Sequence, residues 1–343
     1  DRGLKVHLVV VQFIGPYKKI LNPKIPVVNL NARSVFLSFP KFWFHIIKRR
    51  KKIVMISTLV NANIINILLK LTTFGKVKSI IREANTPSVE CKIIKSLKSK
   101  CIYFLGQFFY KYCDKFIGVS NGVSKDSRSF YSLENKKIHT IYNPVFNDDI
   151  LTLSNKNLSE EWLNNDSKRV IVAMGRVQEQ KDFVLLLDGF KNLIKNNYYL
   201  IILGKYKPNS KYFLKLNQII NDANMSKRIK FVGFQANPFK YLSRADLFVL
   251  TSKYEGMPSS IIQAMACGCN IVSVNCQSGP KEILENGKYG SLLKTRDSSE
   301  LSKLILYRID NKLPKDKLMK RARYFNIDNT INRYLSLKIN KSL

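Results

Sequence analysis

Histidine is scarce, with three residues in 343, and the six cysteines show no CxxC spacing. With no paired histidines nearby, neither a zinc site nor a disulfide framework is indicated, and no metal is expected. Cys91, Cys101, Cys113, Cys267, Cys269 and Cys276 read as reduced, mostly buried thiols. Cys267-Gly268-Cys269 closes an apolar stretch and reads as small packing residues rather than a redox pair. No run reaches the about 18 apolar residues of a spanning helix, and no secretory leader is read at the start, so the expected location is the cytoplasm. Acidic residues are few as well: 24 stand against 58 Lys and Arg, a formal net charge of +34. Such an excess draws in anything negative, whether nucleic acid, acidic lipid or nucleotide. The sign does not choose among them. The basic residues are spread with Asn and Ile along the whole chain, as either a biased genome or a binding surface would leave them. No nucleic-acid motif is present, and nucleic acid is not an expected partner.

What is abundant is apolar material, 45% of residues, enough for more than one core. It is arranged as short β-rich runs alternating with amphipathic stretches. KVHLVVVQF (Lys5–Phe13), Pro26–Leu30, KIVMIS (Lys52–Ser57), KSIIR (Lys78–Arg82), KFIGV (Lys115–Val119) and Ile138–Tyr142 read as strands of a first half. Val170–Met174, Tyr199–Leu203, Ile229–Val232, LFVLT (Leu247–Thr251), Asn270–Val274 and Ser291–Leu293 read as strands of a second. Alternation of this kind implies parallel sheets covered on both faces. The polar stretch Asn143–Ser167 lacks strand periodicity and marks the boundary, giving domains over 1–147 and 148–325 and a helical tail over 326–343 able to cross back to the first. Arg2-Gly3-Leu4 resembles the end of a preceding helix, so a segment is expected upstream of Asp1.

Ser96–Cys113 sets Ile102, Tyr103, Phe104, Leu105, Phe108, Phe109 and Tyr110 among lysines at 92, 95, 98, 100, 111 and 115. A basic aromatic helix can lie on an acidic bilayer, but a strand follows at once, and packing on the sheet is the expected use. Ser120-Asn121-Gly122-Val123 is expected to turn the chain.

The stretch most able to carry chemistry is VLTSKYEGMPSSIIQAMACG, from Val249 to Gly268. A strand breaks at a turn and becomes a helix with Pro258 and Ser259 in its first turn. Ligands of open α/β sheets sit at the carboxyl ends of strands, where this turn lies. Gly256 removes a Cβ, and the helix behind offers unpaired N–H groups to an anion. Gly175-Arg176 follows another strand, with Lys181 at the start of the next helix, a geometry suited to a diphosphate. Gly233-Phe234, after a third strand, offers backbone groups and a ring to a flat base.

In order and spacing, GRVQEQKDFVLLLDGF, FVGF, ADLFVLTSKYEGMPSSIIQAMACGCNIV and SGPKEILENGKYGSLL resemble the second domain of the retaining glycosyltransferases of family four. The resemblance is strong from Val170 to Leu293 and weak over the earlier IYNP and DKFIGVS segments. It implies the α/β GT-B fold, with two doubly wound Rossmann-like domains facing across a cleft, and relatives that build lipopolysaccharide, capsule or other surface glycans. By the same resemblance, Arg176 and Lys181 bind the donor diphosphate and the backbone after Gly233 reads the base. Glu255 lies by the donor sugar, and Gly256, Met257, Pro258 and Ser259 bring main-chain N–H groups to sugar and phosphate. The second acid of the family's pair, which holds the ribose, is here Gln263, an exchange that weakens one contact by about 1 kcal/mol. No cofactor beyond a nucleotide-sugar donor is implied. The departing phosphate is expected to take the acceptor's proton, so no side-chain nucleophile is needed.

The first half departs from the pattern. The family's opening strand with a glycine-rich loop is not found before Leu4, and its histidine after a central strand is replaced in IIREANTPS by Arg82, Glu83 and Asn85. His7, His45 and His139 read as structural. The expectation is a retaining enzyme that moves a sugar from a UDP donor to a lipid-linked glycan at the acidic inner face of the cytoplasmic membrane. A decayed or truncated GT-B protein that binds polyanions without transfer is the rival, and an epimerase on the same architecture a third reading.

Overall fold

In a computed structural model, residues 3–15, 18, 21–94, 96–194 and 197–337 are described. Asp1, Arg2, Lys95 and the tail beyond Leu337 lie outside them. Two units emerge, one of residues up to Ile117 with 126–139, the other of Gly118–Lys125 with Thr140–Leu337.

The first unit begins with β1 (Leu8–Val10) and β2 (Val27–Asn29), a separate parallel pair. The long opening strand expected over Lys5–Phe13 is thus only three residues, as long as its partner. Then come α1 (Phe39–Ile47), β3 (Ile53–Thr58), α2 (Val60–Thr72), β4 (Val77–Glu83), α3 (Pro87–Ile93) and α4 (Leu97–Phe109). They are followed by β5 (Lys115–Gly118), α5 (Asn121–Phe130) and β6 (Ile138–Thr140). The sheet order is β3-β4-β5-β6. Ile64 and Ile67 of α2 pack on Ile81 of β4 and Phe116 of β5, with Tyr103, Tyr110 and Tyr131 closing the same core.

At Ser120–Val123 the chain turns at the end of β5 straight into a helix: Asn121 opens α5, and Ser120 Oγ accepts the Val123 N–H as the helix starts. Helix α4 packs chiefly on α2 and not directly on the sheet: Tyr103 and Gly106 are buried, with a Cβ at Gly106 3.3 Å from Val60, while Phe104 and Phe108 on the other side are exposed, because one helix turns only one face to its neighbours.

The second unit carries α6 (Asp149–Ser154) within the polar stretch Asn143–Ser167, then β7 (Arg169–Met174), α7 (Phe183–Lys191), β8 (Tyr198–Leu203) and α8 (Lys211–Asp222). The chain continues through β9 (Ile229–Gly233), α9 (Phe239–Leu242), β10 (Leu247–Leu250), α10 (Ser259–Ala266), β11 (Asn270–Val274), α11 (Pro280–Ile283) and β12 (Ser291–Leu293). It ends in α12 (Ser298–Asp310), α13 (Lys315–Arg323) and α14 (Ile327–Leu335). The described tail lies wholly in this unit, where Thr330 Oγ1 donates to the Tyr142 carbonyl.

The six parallel strands run β12-β11-β10-β7-β8-β9. Residues Leu200–Leu203 and Leu247–Leu250 are buried throughout, as strands covered on both faces must be. Leu186, Leu187 and Phe190 of α7 and Leu301 and Ile305 of α12 join them in one cluster. Each fully buried side chain of this size contributes about 1.5–3 kcal/mol. Caps fix where helices start: Ser210 Oγ accepts the Phe213 N–H and Asp297 Oδ1 the Glu300 N–H. The strand order is that of a doubly wound Rossmann-like sheet, and its direction reverses between β7 and β10.

Candidate active site

At that reversal the chain leaves β7 toward β8 and β10 toward β11, in opposite directions along the sheet, and the ends of β7 and β10 are where a ligand of such a sheet belongs. The loops that follow them are laced together. Gln180 Nε2 donates to the Tyr254 carbonyl at 3.1 Å, the Lys253 N–H to the Gln180 carbonyl at 2.8 Å, and Thr251 Oγ1 to the Lys181 carbonyl at 2.9 Å. The link with most chemical meaning is ionic. Lys181 Nζ lies 2.5 Å from Glu255 Oε1, and their side chains are only 16% and 9% exposed. A charge pair this far out of water loses hydration on both sides, so removing either partner strands the other at a cost of about 3–5 kcal/mol.

The floor of the site is made of backbone. Gly175, Gly204 and Gly233 stand at the ends of β7, β8 and β9, and each is tied to its neighbouring strand: Gly175 N–H donates to the Leu203 carbonyl at 2.9 Å, Gly204 N–H to the Gly233 carbonyl at 2.8 Å. At Gly204 a Cβ would fall 1.9 Å from the Gly175 carbonyl oxygen, so only glycine permits this approach. At Gly175 a Cβ would fall 2.8 Å from Lys181 Cε, which lets the lysine stem lie across the strand end. Arg176 is exposed, and its side chain has no ion-pair partner among the described residues. Phe234, beside Gly233, is 60% exposed.

On the other wall, Gly256, Met257 and Pro258 are buried and Ser259 opens α10, whose first turn receives no side-chain cap. Four residues on, one turn along the same helix, Gln263 is half-buried. The loop after β11 presses on this turn: a Cβ at Gly279 would lie 2.5 Å from Pro258 Cδ and 3.0 Å from the Gly256 carbonyl. Burial, with the Glu255 charge second, pushes the Cys276 thiol up to about 12, so it stands by as a neutral packing group.

The structure thus brings Gly175, Lys181 and Glu255 into one contiguous site, with Arg176 following Gly175 on its rim. Gly233 joins through Gly204, and Gly256 through Gln263 form the facing turn. Three residues escaped the sequence reading. Gly204 stands alone in its loop and gave no motif. Arg296 pairs with Asp182 and donates to the carbonyls of Thr251 and Ser252, bracing both loops from a segment far along the chain. Glu282, within the SGPKE run already noted, accepts the backbone N–H groups of Asn121 and Gly122, each at 2.8 Å. Glu83, weighed as a replacement for a ligand-facing histidine, is turned inward: it is 3% exposed and accepts from Tyr110 Oη at 2.5 Å and Asn63 Nδ2 at 3.1 Å.

The fold and this site define a glycosyltransferase of the GT-B architecture. Anabaena HepE in complex with UDP superposes with a TM-score of 0.78 over 96% of this chain and 91% of its own, at 18% identity. The outer-core galactosyltransferase of lipopolysaccharide, WaaB, in its apo form gives 0.69 over 96% and 90%. The glycosyl transferases group 1 model matches residues 154–325, half of the chain, and the chain belongs to that family. An uncharacterised glycosyltransferase of Methanocaldococcus jannaschii is 31% identical over 317 residues, 83% of this chain and 76% of its own. A Campylobacter jejuni N-acetylgalactosamine-N,N'-diacetylbacillosaminyl-diphospho-undecaprenol 4-alpha-N-acetylgalactosaminyltransferase is 28% identical over 258 residues, 74% of this chain and 67% of its own.

Proposed function

We propose that this enzyme transfers a sugar, with retention, from a UDP-sugar to a lipid-linked glycan during surface-polysaccharide synthesis, at the acidic inner face of the cytoplasmic membrane. The observation that carries the reading is the buried Lys181–Glu255 pair bridging the loops at the sheet's reversal point. Support for the donor comes from HepE, whose structures include complexes with UDP and with UDP-glucose. Support for the acceptor comes from the diphospho-undecaprenol in the name of the Campylobacter relative, and from the E. coli lipopolysaccharide 1,6-galactosyltransferase at 26% identity.

In this mechanism the pyrophosphate lies over the bare strand ends, toward Lys181, Arg176 and the uncapped first turn of α10, and the base rests against Phe234. Without donor, Glu255 holds the Lys181 ammonium in place. With donor, the ammonium swings toward the phosphate while Glu255 accepts hydrogen bonds from the sugar hydroxyls. The bond from the anomeric carbon to the β-phosphate oxygen breaks, and negative charge growing on that oxygen meets the cations. The acceptor oxygen attacks from the same face and gives its proton to the departing phosphate. Gln263, in place of a carboxylate, holds the ribose through neutral hydrogen bonds.

Transfer and donor hydrolysis are measured over a panel of UDP-sugars for the parent, Lys181→Ala and Glu255→Ala, with circular dichroism as the control for folding. Each variant is expected to lose about 100-fold or more in kcat/KM, as removal of one charge-stabilising donor does elsewhere. Near-parent rates in both would refute the site. The rival, a decayed polyanion binder, is motivated by the net charge of +34, by Gln263 and by the departures of the first half from the family's pattern. It predicts no turnover with any donor and steeply salt-dependent binding to nucleic acid.

A further inference from the structure

The donor chemistry leaves one surface of the first unit unused. Leu97, Cys101, Phe104, Phe108 and Tyr112 recur along α4 and the turn after it at spacings of four, three, four and four, which is one side of a helix. All five are exposed, with Leu97 at 79%, Phe104 at 71% and Phe108 at 54%. Phe108 and Tyr112 meet edge to face at 6.2 Å, and the Lys111 ammonium sits 5.1 Å from each ring.

Lys111 and Tyr112 also wall a cavity of about 490 Å³, lined further by Lys70, Lys115, Lys136, Lys137 and Asp114. Asp114 is taken by Lys70 at 2.7 Å, and Glu134 by Lys136 and Lys137 at 2.8 and 3.1 Å. Lys111 and Lys115 have no acid partner among the described residues. An apolar stripe therefore runs straight into a cationic hollow. Lys92, Lys98 and Lys100, all exposed, lie toward its other end.

We propose that this face docks on an acidic lipid bilayer, the stripe from Leu97 to Tyr112 entering the interface and the lysine cavity receiving a lipid phosphate. The inference deepens the proposed function, on which it rests for the lipid-linked acceptor, and gives the membrane contact a place on the chain. Charge selects the occupant. Two copies meeting through this face would set like-charged lysines against each other, whereas an anionic leaflet complements them. The stripe is also long and narrow, about 22 Å by helical rise, as suits a helix lying in a bilayer surface.

The test is co-sedimentation of the full chain with vesicles of phosphatidylcholine alone or mixed with phosphatidylglycerol. The parent is expected to pellet with the acidic vesicles only. Phe104→Ser with Phe108→Ser should abolish this, and Lys111→Ala with Lys115→Ala should weaken it by about fivefold per lysine. Inorganic phosphate, matched in anion concentration, should not release the bound protein. Four results would overturn the proposal: equal binding to neutral vesicles, parent-like binding by both variants, release by inorganic phosphate, or a smaller assembly in the aromatic variant by size exclusion, the sign of a covering second copy. UDP binding by calorimetry is run on every variant. UDP binding retained while vesicle binding is lost isolates the docking face, and a parent that binds vesicles but no UDP sinks the donor reading instead.

Discussion

Glu83 is the carboxyl group whose setting departs furthest from water. Burial pushes its acid up to about 7, against the pull of hydrogen bonds from Tyr110 and Asn63. The ordinary value is 4.5, so between the two the folded chain holds a proton that the unfolded chain has released. Folding then takes up a proton, and stability falls as pH rises across that window, by on the order of 3 kcal/mol in all. Glu83→Gln keeps the shape and an acceptor for Tyr110 without the charge. Urea unfolding of the parent should weaken from pH 5 to pH 7.5, by about that order, relative to the variant. Parallel pH profiles would mean that Glu83 is ionised inside the fold. The residue was visible in IIREANTPS, but its inward orientation was not. Which way a strand-end side chain points depends on the register of β4, and that is set by neighbours far along the chain.

Among elements, the ends of β7 and β8 are pinned by the closeness of Gly175 and Gly204. Gly204→Ala must push them apart, at a cost of about 1–3 kcal/mol. The expected result is a lower melting temperature by calorimetry together with weaker binding of UDP. A variant that melts early yet binds UDP like the parent would separate the strand ends from the nucleotide. The sequence displayed most elements because their signals are local: apolar runs of strand length, and Pro258 and Ser259 at a helix start. It displayed Lys181 and Glu255 because each sits in a long motif. Gly204 was missed because its necessity is a contact with another strand, and Arg296 because the carbonyls it braces are reached only through the fold. Asn121-Gly122 signalled the turn at the end of β5, but not that Ser120 would cap a helix starting there.

On the scale of the molecule, both walls of the candidate donor site, from Gly175 to Gln263, belong to the second unit. Hydrogen exchange with and without UDP should therefore show protection at residues 175–182, 233–235 and 253–263, and little change in β3 to β6. Protection concentrated in the first unit would move the nucleotide elsewhere. Among the described residues no helix is long and apolar enough to cross a membrane.

The bare strand ends set a limit on how such an enzyme can diversify. At Gly204, where an added methyl would collide with the Gly175 backbone, mutation has almost no material to work with. On the donor reading proposed above, a change of preference for base or sugar is expected through side chains such as Phe234 and Gln263 and not through Gly204.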